Sequence, residues 1–155
     1  MAVAQAIGEG WFVGQCHHFP LRIYYEDTDL SGLVYHANYL RYAERARSDM
    51  LRLLGIDQRA ASEAGQGHYA VAEANIRYLR PARLDDSLVV QTHCADLRAA
   101  SVRLAQQVWR GDELLVEVTI RVGFIGPDGR PRRQPDAWRA AFAAFFQPDL
   151  PVKDC

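Results

Sequence analysis

Lysine is nearly missing: Lys153 is the only one in 155 residues, so arginine carries almost all of the positive charge. The net charge is -1. No excess of either sign draws the chain to nucleic acid or to an anionic membrane, and no nucleic-acid partner is expected. Cysteine is scarce as well: Cys16, Cys94 and Cys155 are odd in number, far apart and without a Cys-x-x-Cys pair. That pattern suggests neither a disulfide framework nor a zinc site and fits a reducing compartment. His17, His18, His68 and His93 show no metal-ligand spacing with acids or cysteines, so no metal and no cofactor are expected. No run approaches the roughly 18 apolar residues of a membrane span. The opening stretch MAVAQAIGEGWFVGQ has no Lys or Arg and no long apolar segment, which argues against a signal peptide and leaves the cytoplasm as the default. A Gly-x-Ser-x-Gly elbow is absent too, which removes that serine route to hydrolysis.

With 49% hydrophobic and 24% charged residues, a chain of this length reads as one soluble globular domain. Residues 1–16 read as a loose N-terminal arm, 17–147 as the domain and 148–155 as a tail. Leu21 to Tyr25 has strand character, and Pro20 confines it to an edge or to a strand start. From His36 to Leu54 the apolar positions Tyr39, Leu40, Ala43, Ala46, Met50, Leu53 and Leu54 recur at spacings of three and four. They predict a helix of about 18 residues, roughly 27 Å long, packing through Leu40, Ala43, Ala46, Met50 and Leu53 and ended by Gly55. Beyond a polar loop with Gly65 and Gly67 the period changes to two. Ala70, Ala72, Ala74, Ile76 and Tyr78 would share one face of a strand. Ser87–Leu97, Ser101–Arg110 and Glu113–Ile125 are three further strands, the last two joined at Gly111-Asp112, a tight-turn pair. PDAWRAAFAAFF closes the domain as a short helix. A strand, a long helix and then four strands with short links make an α+β layer, an antiparallel sheet of about five strands with one helix on its concave face. The outer face, with Glu117, Thr119 and Arg121, suits water or another subunit.

YYEDTDLSGLVYHANYLRYAERAR, from Tyr24 to Arg47, places three acids, Glu26, Asp27 and Asp29, in four residues ahead of the helix. Helix electrostatics account for one acid well and for three less well. Within twelve residues the stretch supplies carboxylates, a phenol, an imidazole and a helix N-terminus, whose N–H groups favour developing negative charge. Those are the parts of an acyl hydrolysis. The residues themselves do not choose between Asp27 and Asp29.

The spacing Asp27-x-Asp29-x-x-Gly32-x-Val34-x-His36-x-x-Tyr39, with YLRPARLDDSLVV at Tyr78–Val90, resembles the hotdog-fold acyl-CoA thioesterases of the 4-hydroxybenzoyl-CoA thioesterase type. More narrowly it resembles the Tol-Pal-associated acyl-CoA thioesterase family of bacteria. The likeness spans about residues 18 to 145. It implies a hotdog fold, with the sheet wrapped around a central helix, and hydrolysis of acyl-CoA to free acid and CoA. It implies that the essential carboxylate is Asp29, as general base or nucleophile, with Tyr25 and His36 as its companions and the helix N-terminus as the oxyanion site. It also implies a homodimer or homotetramer with active sites at subunit interfaces. Because CoA carries phosphates, Arg98 and Arg103, which flank a strand turn, are candidate contacts. Glu63 reads as a surface residue. An acyl carrier protein as the thioester carrier, a non-enzymatic acyl or phosphopantetheine scaffold, and a dehydratase on the same fold are the competing readings.

Overall fold

Alternating apolar residues build the sheet, and their phase sets where a helix can lie. The computed structural model describes residues 8–146; the tail expected at 148–155 lies outside them. The strands are β1 (Trp11–Val13), β2 (Cys16–Arg22), β3 (His68–Tyr78), β4 (Ser87–Leu97), β5 (Ser101–Arg110) and β6 (Glu113–Ile125). They form one antiparallel sheet in the order β1-β2-β4-β5-β6-β3. Three helices complete the described chain: α1 (Asn38–Leu53), α2 (Gln58–Glu63) and α3 (Asp136–Ala143).

The sixth strand comes from the expected arm. Gly14, at a φ of +56°, turns the chain so that Trp11–Val13 pairs with Cys16–His18. The strand expected at Leu21–Tyr25 begins earlier, at Cys16, and ends at Arg22, because the chain bends into a 3-10 turn at Tyr25–Asp27. Pro20 lies beyond the reach of β1, where β2 is an edge and tolerates a missing donor. Cys94 is a buried free thiol.

Helix α1 lies against β2, β4 and β6. Ala43 and Ala46 are fully buried and let its backbone approach the sheet. The buried stripe, however, is turned from the expected one: Tyr39, Tyr42, Asp49 and Met50 go inside, while Leu40 and Leu53 remain 38% and 45% exposed. The reason is polar. The Tyr39 hydroxyl accepts a hydrogen bond from the Ala82 amide at 3.0 Å, and Asp49 meets His17 of β2 at 2.7 Å. Residues with satisfied polar tips can enter a core that apolar periodicity assigns to leucines. Gln106 of β5 adds a second polar tie, donating to the Ala43 carbonyl and to Thr92 and accepting from Arg47, each at 3.0 Å.

A bulge between Val71 and Glu73 shifts the phase of β3. Tyr69 and Val71 before it, and Ala74, Ile76 and Tyr78 after it, align with the buried row Phe124, Val122, Ile120, Val118 and Val116 of β6. Ala70 and Ala72 leave the face assigned to them. Gly111, at a φ of +59°, makes the β5–β6 turn as expected. Helix α2 occupies the expected loop because Asp57 caps it, accepting from the Ala60 amide at 2.9 Å. Glu63 is a surface residue paired with Arg59. Helix α3 docks through Phe142 and Trp138 onto Tyr69 of β3. No helix among the described residues is long and apolar enough to cross a membrane.

Candidate active site

The three acids of the pre-helix stretch have separate fates. Asp27 is buried and committed to the turn. Its carboxylate accepts from the Tyr24 amide at 2.8 Å, and its carbonyl accepts from the Tyr35 amide and the Asn38 side chain, both at 2.9 Å. Those bonds draw the start of α1 back onto the turn. Glu26 is exposed. Asp29 opens a tight loop in which its amide donates to the Leu33 carbonyl and its carbonyl accepts from Gly32, both at 3.0 Å. Its side chain is exposed to solvent.

Only one oxygen of Asp29 is used. The Ser31 amide, at 2.8 Å, and the Ser31 hydroxyl both donate to Oδ1, and no bond among the described residues uses Oδ2. These donors, and then the facing His36 ring, hold the Asp29 carboxyl below its ordinary range. Asp29 is therefore a carboxylate at neutral pH with one oxygen open.

The opposite wall comes from the chain after β3. The Val34 amide donates to the Ala82 carbonyl at 2.9 Å, and Leu33 bridges Arg83. This brings Tyr78, Leu79, Arg80 and Pro81 around a cavity of about 340 Å³ that Asp29, Ser31 and His36 also line. The His36 ring lies between those of Tyr35 and Tyr78, with centroids at 4.6 and 6.4 Å. Ala37, at the cap position of α1, has no side-chain cap, and the amides of His36 and Ala37 carry no bond among the described residues. Unbonded amides at a helix start suit an anion or a developing oxyanion. The cavity thus unites an ionised carboxylate with an electropositive helix end.

The chain matches the thioesterase superfamily model over residues 31–117. It belongs to that superfamily. The matched span of this thioesterase includes His36 and begins two residues after Asp29. The chain is 38% identical to the acyl-CoA thioesterase YbgC of Haemophilus influenzae over 125 residues, covering 80% of this chain and 92% of that protein. Among solved structures, a probable thioesterase from Bartonella henselae superposes with a TM-score of 0.73 at 36% identity, over 77% of this chain and 99% of that one. A 1,4-dihydroxy-2-naphthoyl-CoA thioesterase from Synechocystis superposes with a TM-score of 0.78 at 20% identity, over 83% and 96% of the two chains, and shows the hotdog fold alone.

Of the residues singled out from the thioesterase sequence, Asp29 and His36 come together. Tyr25 does not line their cavity. Its side chain is 82% exposed, and its carbonyl serves the turn by accepting from the Thr28 amide and hydroxyl. Arg98 lies outside the cavity, paired with Asp96 at 2.9 Å. Arg103 lies on the outer sheet face, opposite Arg121, in a separate hollow with Glu73. Ser31, Tyr78 and Arg80 line the cavity without having been singled out. Ser31 had a local signal, because a serine two residues after an aspartate is a common side-chain-bonded turn. Arg80, held by Glu113 at 2.6 Å, and Tyr78 had none, because more than forty residues separate them from Asp29.

Proposed function

We propose that this thioesterase hydrolyses acyl-CoA to a free carboxylic acid and CoA. The observation that carries the reading is the open Oδ2 of ionised Asp29 sharing a cavity with His36, whose amide at the start of α1 carries no bond among the described residues. In one route Asp29 takes a proton from water as it attacks the thioester carbonyl. In the other Asp29 attacks the carbonyl itself, and water then cleaves the acyl-enzyme anhydride. In both, the carbonyl oxygen gains negative charge opposite the start of α1, the C–S bond breaks, and the thiolate leaves with a proton. The His36 ring contributes a wall and a positioning contact. Tyr25 is assigned no contact with the reacting atoms.

The test is release of free thiol from a panel of short, long and aromatic acyl-CoA substrates. Turnover of at least one is expected, and an inactive, folded wild type would overturn the reading. Running the same acyl group on an acyl carrier protein distinguishes the two carriers, which share the phosphopantetheine end.

We further propose a homo-oligomer, at least a dimer. Among the described residues β3 has no strand partner on its outer side, and it carries the exposed Val71 and Tyr78 along eleven residues. A long open edge of this kind is usually covered. Arg98 and Arg103 reach the phosphates of CoA only where a second copy brings them to the cavity. Sedimentation at micromolar concentration should show a species larger than the monomer; a monomer alone would contradict this assembly.

A further inference from the structure

We infer that Tyr78 is a positioning residue for the hydrolysis, holding the peptide group that carries one of the two unbonded amides. The inference rests on the reaction proposed above. Tyr78 is the last residue of β3, far along the chain from α1, yet its hydroxyl donates to the His36 carbonyl at 2.9 Å. A peptide group is planar and trans, so the His36 carbonyl and the Ala37 N–H lie in one plane and point in opposite directions. Fixing the carbonyl fixes the amide. Little else at this end of the helix does so. Ala37 has no side-chain cap, and the neighbouring Asn38 side chain is spent on the Asp27 carbonyl.

The phenol is itself well held. Its ring stands edge-on to Tyr39 at 5.7 Å and to His36 at 6.4 Å, and Tyr39 is anchored in the core by the Ala82 amide. The last residue of β3 therefore sets the geometry of a segment that precedes α1, and the bond runs along the wall of the Asp29 cavity. A preorganised donor is effective because it needs no reorientation as charge develops. Losing the latch leaves the amide present but less well aimed.

Tyr78→Phe removes the hydroxyl and keeps the ring against His36 and Tyr39. Its kcat for the best acyl-CoA of the panel should fall about tenfold, less than the loss of a direct oxyanion donor, while KM stays within about twofold. Binding of a non-hydrolysable thioether analogue of that acyl-CoA should be unchanged within about twofold, because the latch acts in the transition state. The thermal midpoint should stay at the wild-type value. An unchanged kcat in an active background overturns the inference and leaves the proposed function standing. A kcat loss matched by an equal loss of analogue affinity also overturns it, because Tyr78 would then be a substrate contact. Wild type without activity on the whole panel overturns both.

Discussion

Asp29→Asn lowers acyl-CoA turnover by about 10²–10⁴, the size expected for losing a general base, and leaves the fold intact. Both Ser31 donors end on Oδ1. An asparagine oxygen can accept both, so the loop from Asp29 to Leu33 keeps its bonds. What changes is Oδ2, which becomes an NH₂ group that can neither take a proton nor attack a carbonyl. The single turnover assay therefore reads chemistry and not folding. Asp27→Asn should spare more activity and cost more stability, because Asp27 is buried and its carboxylate serves the Tyr24 amide. Near wild-type turnover by folded Asp29→Asn would refute the assignment and transfer it to Asp27. The pH profile supplies a second check. Since Ser31 and His36 hold the Asp29 carboxyl below its ordinary 3.8, any acid limb that it sets lies below that pH.

Asp49→Ala destabilises the fold by about 1–3 kcal/mol for the buried His17 donor that it leaves unsatisfied. Asp49 Oδ2 accepts from His17 Nε2 at 2.7 Å and from the Gly10 amide at 3.0 Å, joining α1 to β2 and to the chain just before β1. Alanine leaves the buried His17 ring and the half-buried Gly10 amide without this acceptor. Urea denaturation measures the loss; a change under about 1 kcal/mol, the ordinary size for one substitution, would show that the pair does not hold this corner. Asp49→Asn should be gentler, since an acceptor survives.

Acid acts on the same corner. Burial lowers the His17 pKa below 6.5 even with Asp49 beside it, and its buried Nδ1 has no partner among the described residues. Burial also lowers His18 and His93. The folded protein therefore binds fewer protons than the unfolded chain below pH 6.5. The stability contributed by the neutral imidazoles is complete above that value and is lost as pH falls through the lowered folded values.

The acidic turn shows where local reading stops. Three acids at a helix entrance announced a site, and the resemblance singled out Asp29. The residues alone left Asp27 and Asp29 equal, because they differ in burial and in bonds to Tyr24, Tyr35 and Asn38, and those bonds exist only once the turn has closed. The other half of the cavity, with Tyr78 and Arg80, comes from the far side of the sheet, and no pattern in sequence links it to Asp29.

The sequence by itself determined β4, β5 and β6 to the residue, together with the turn at Gly111, because alternation and turn chemistry are local properties of the chain. It also determined the existence of α1, which runs over 16 residues from Asn38 to Leu53, shorter than the 18 or so expected from His36. Tertiary structure alone decided which stripe of α1 is inside, because Tyr39 and Asp49 enter the core only by meeting Ala82 and His17. It also decided the phase of β3, which the bulge at Val71–Glu73 resets against β6, and the recruitment of Trp11–Val13 into the sheet. Each of those outcomes depends on a partner brought close by folding, so no local pattern could contain it.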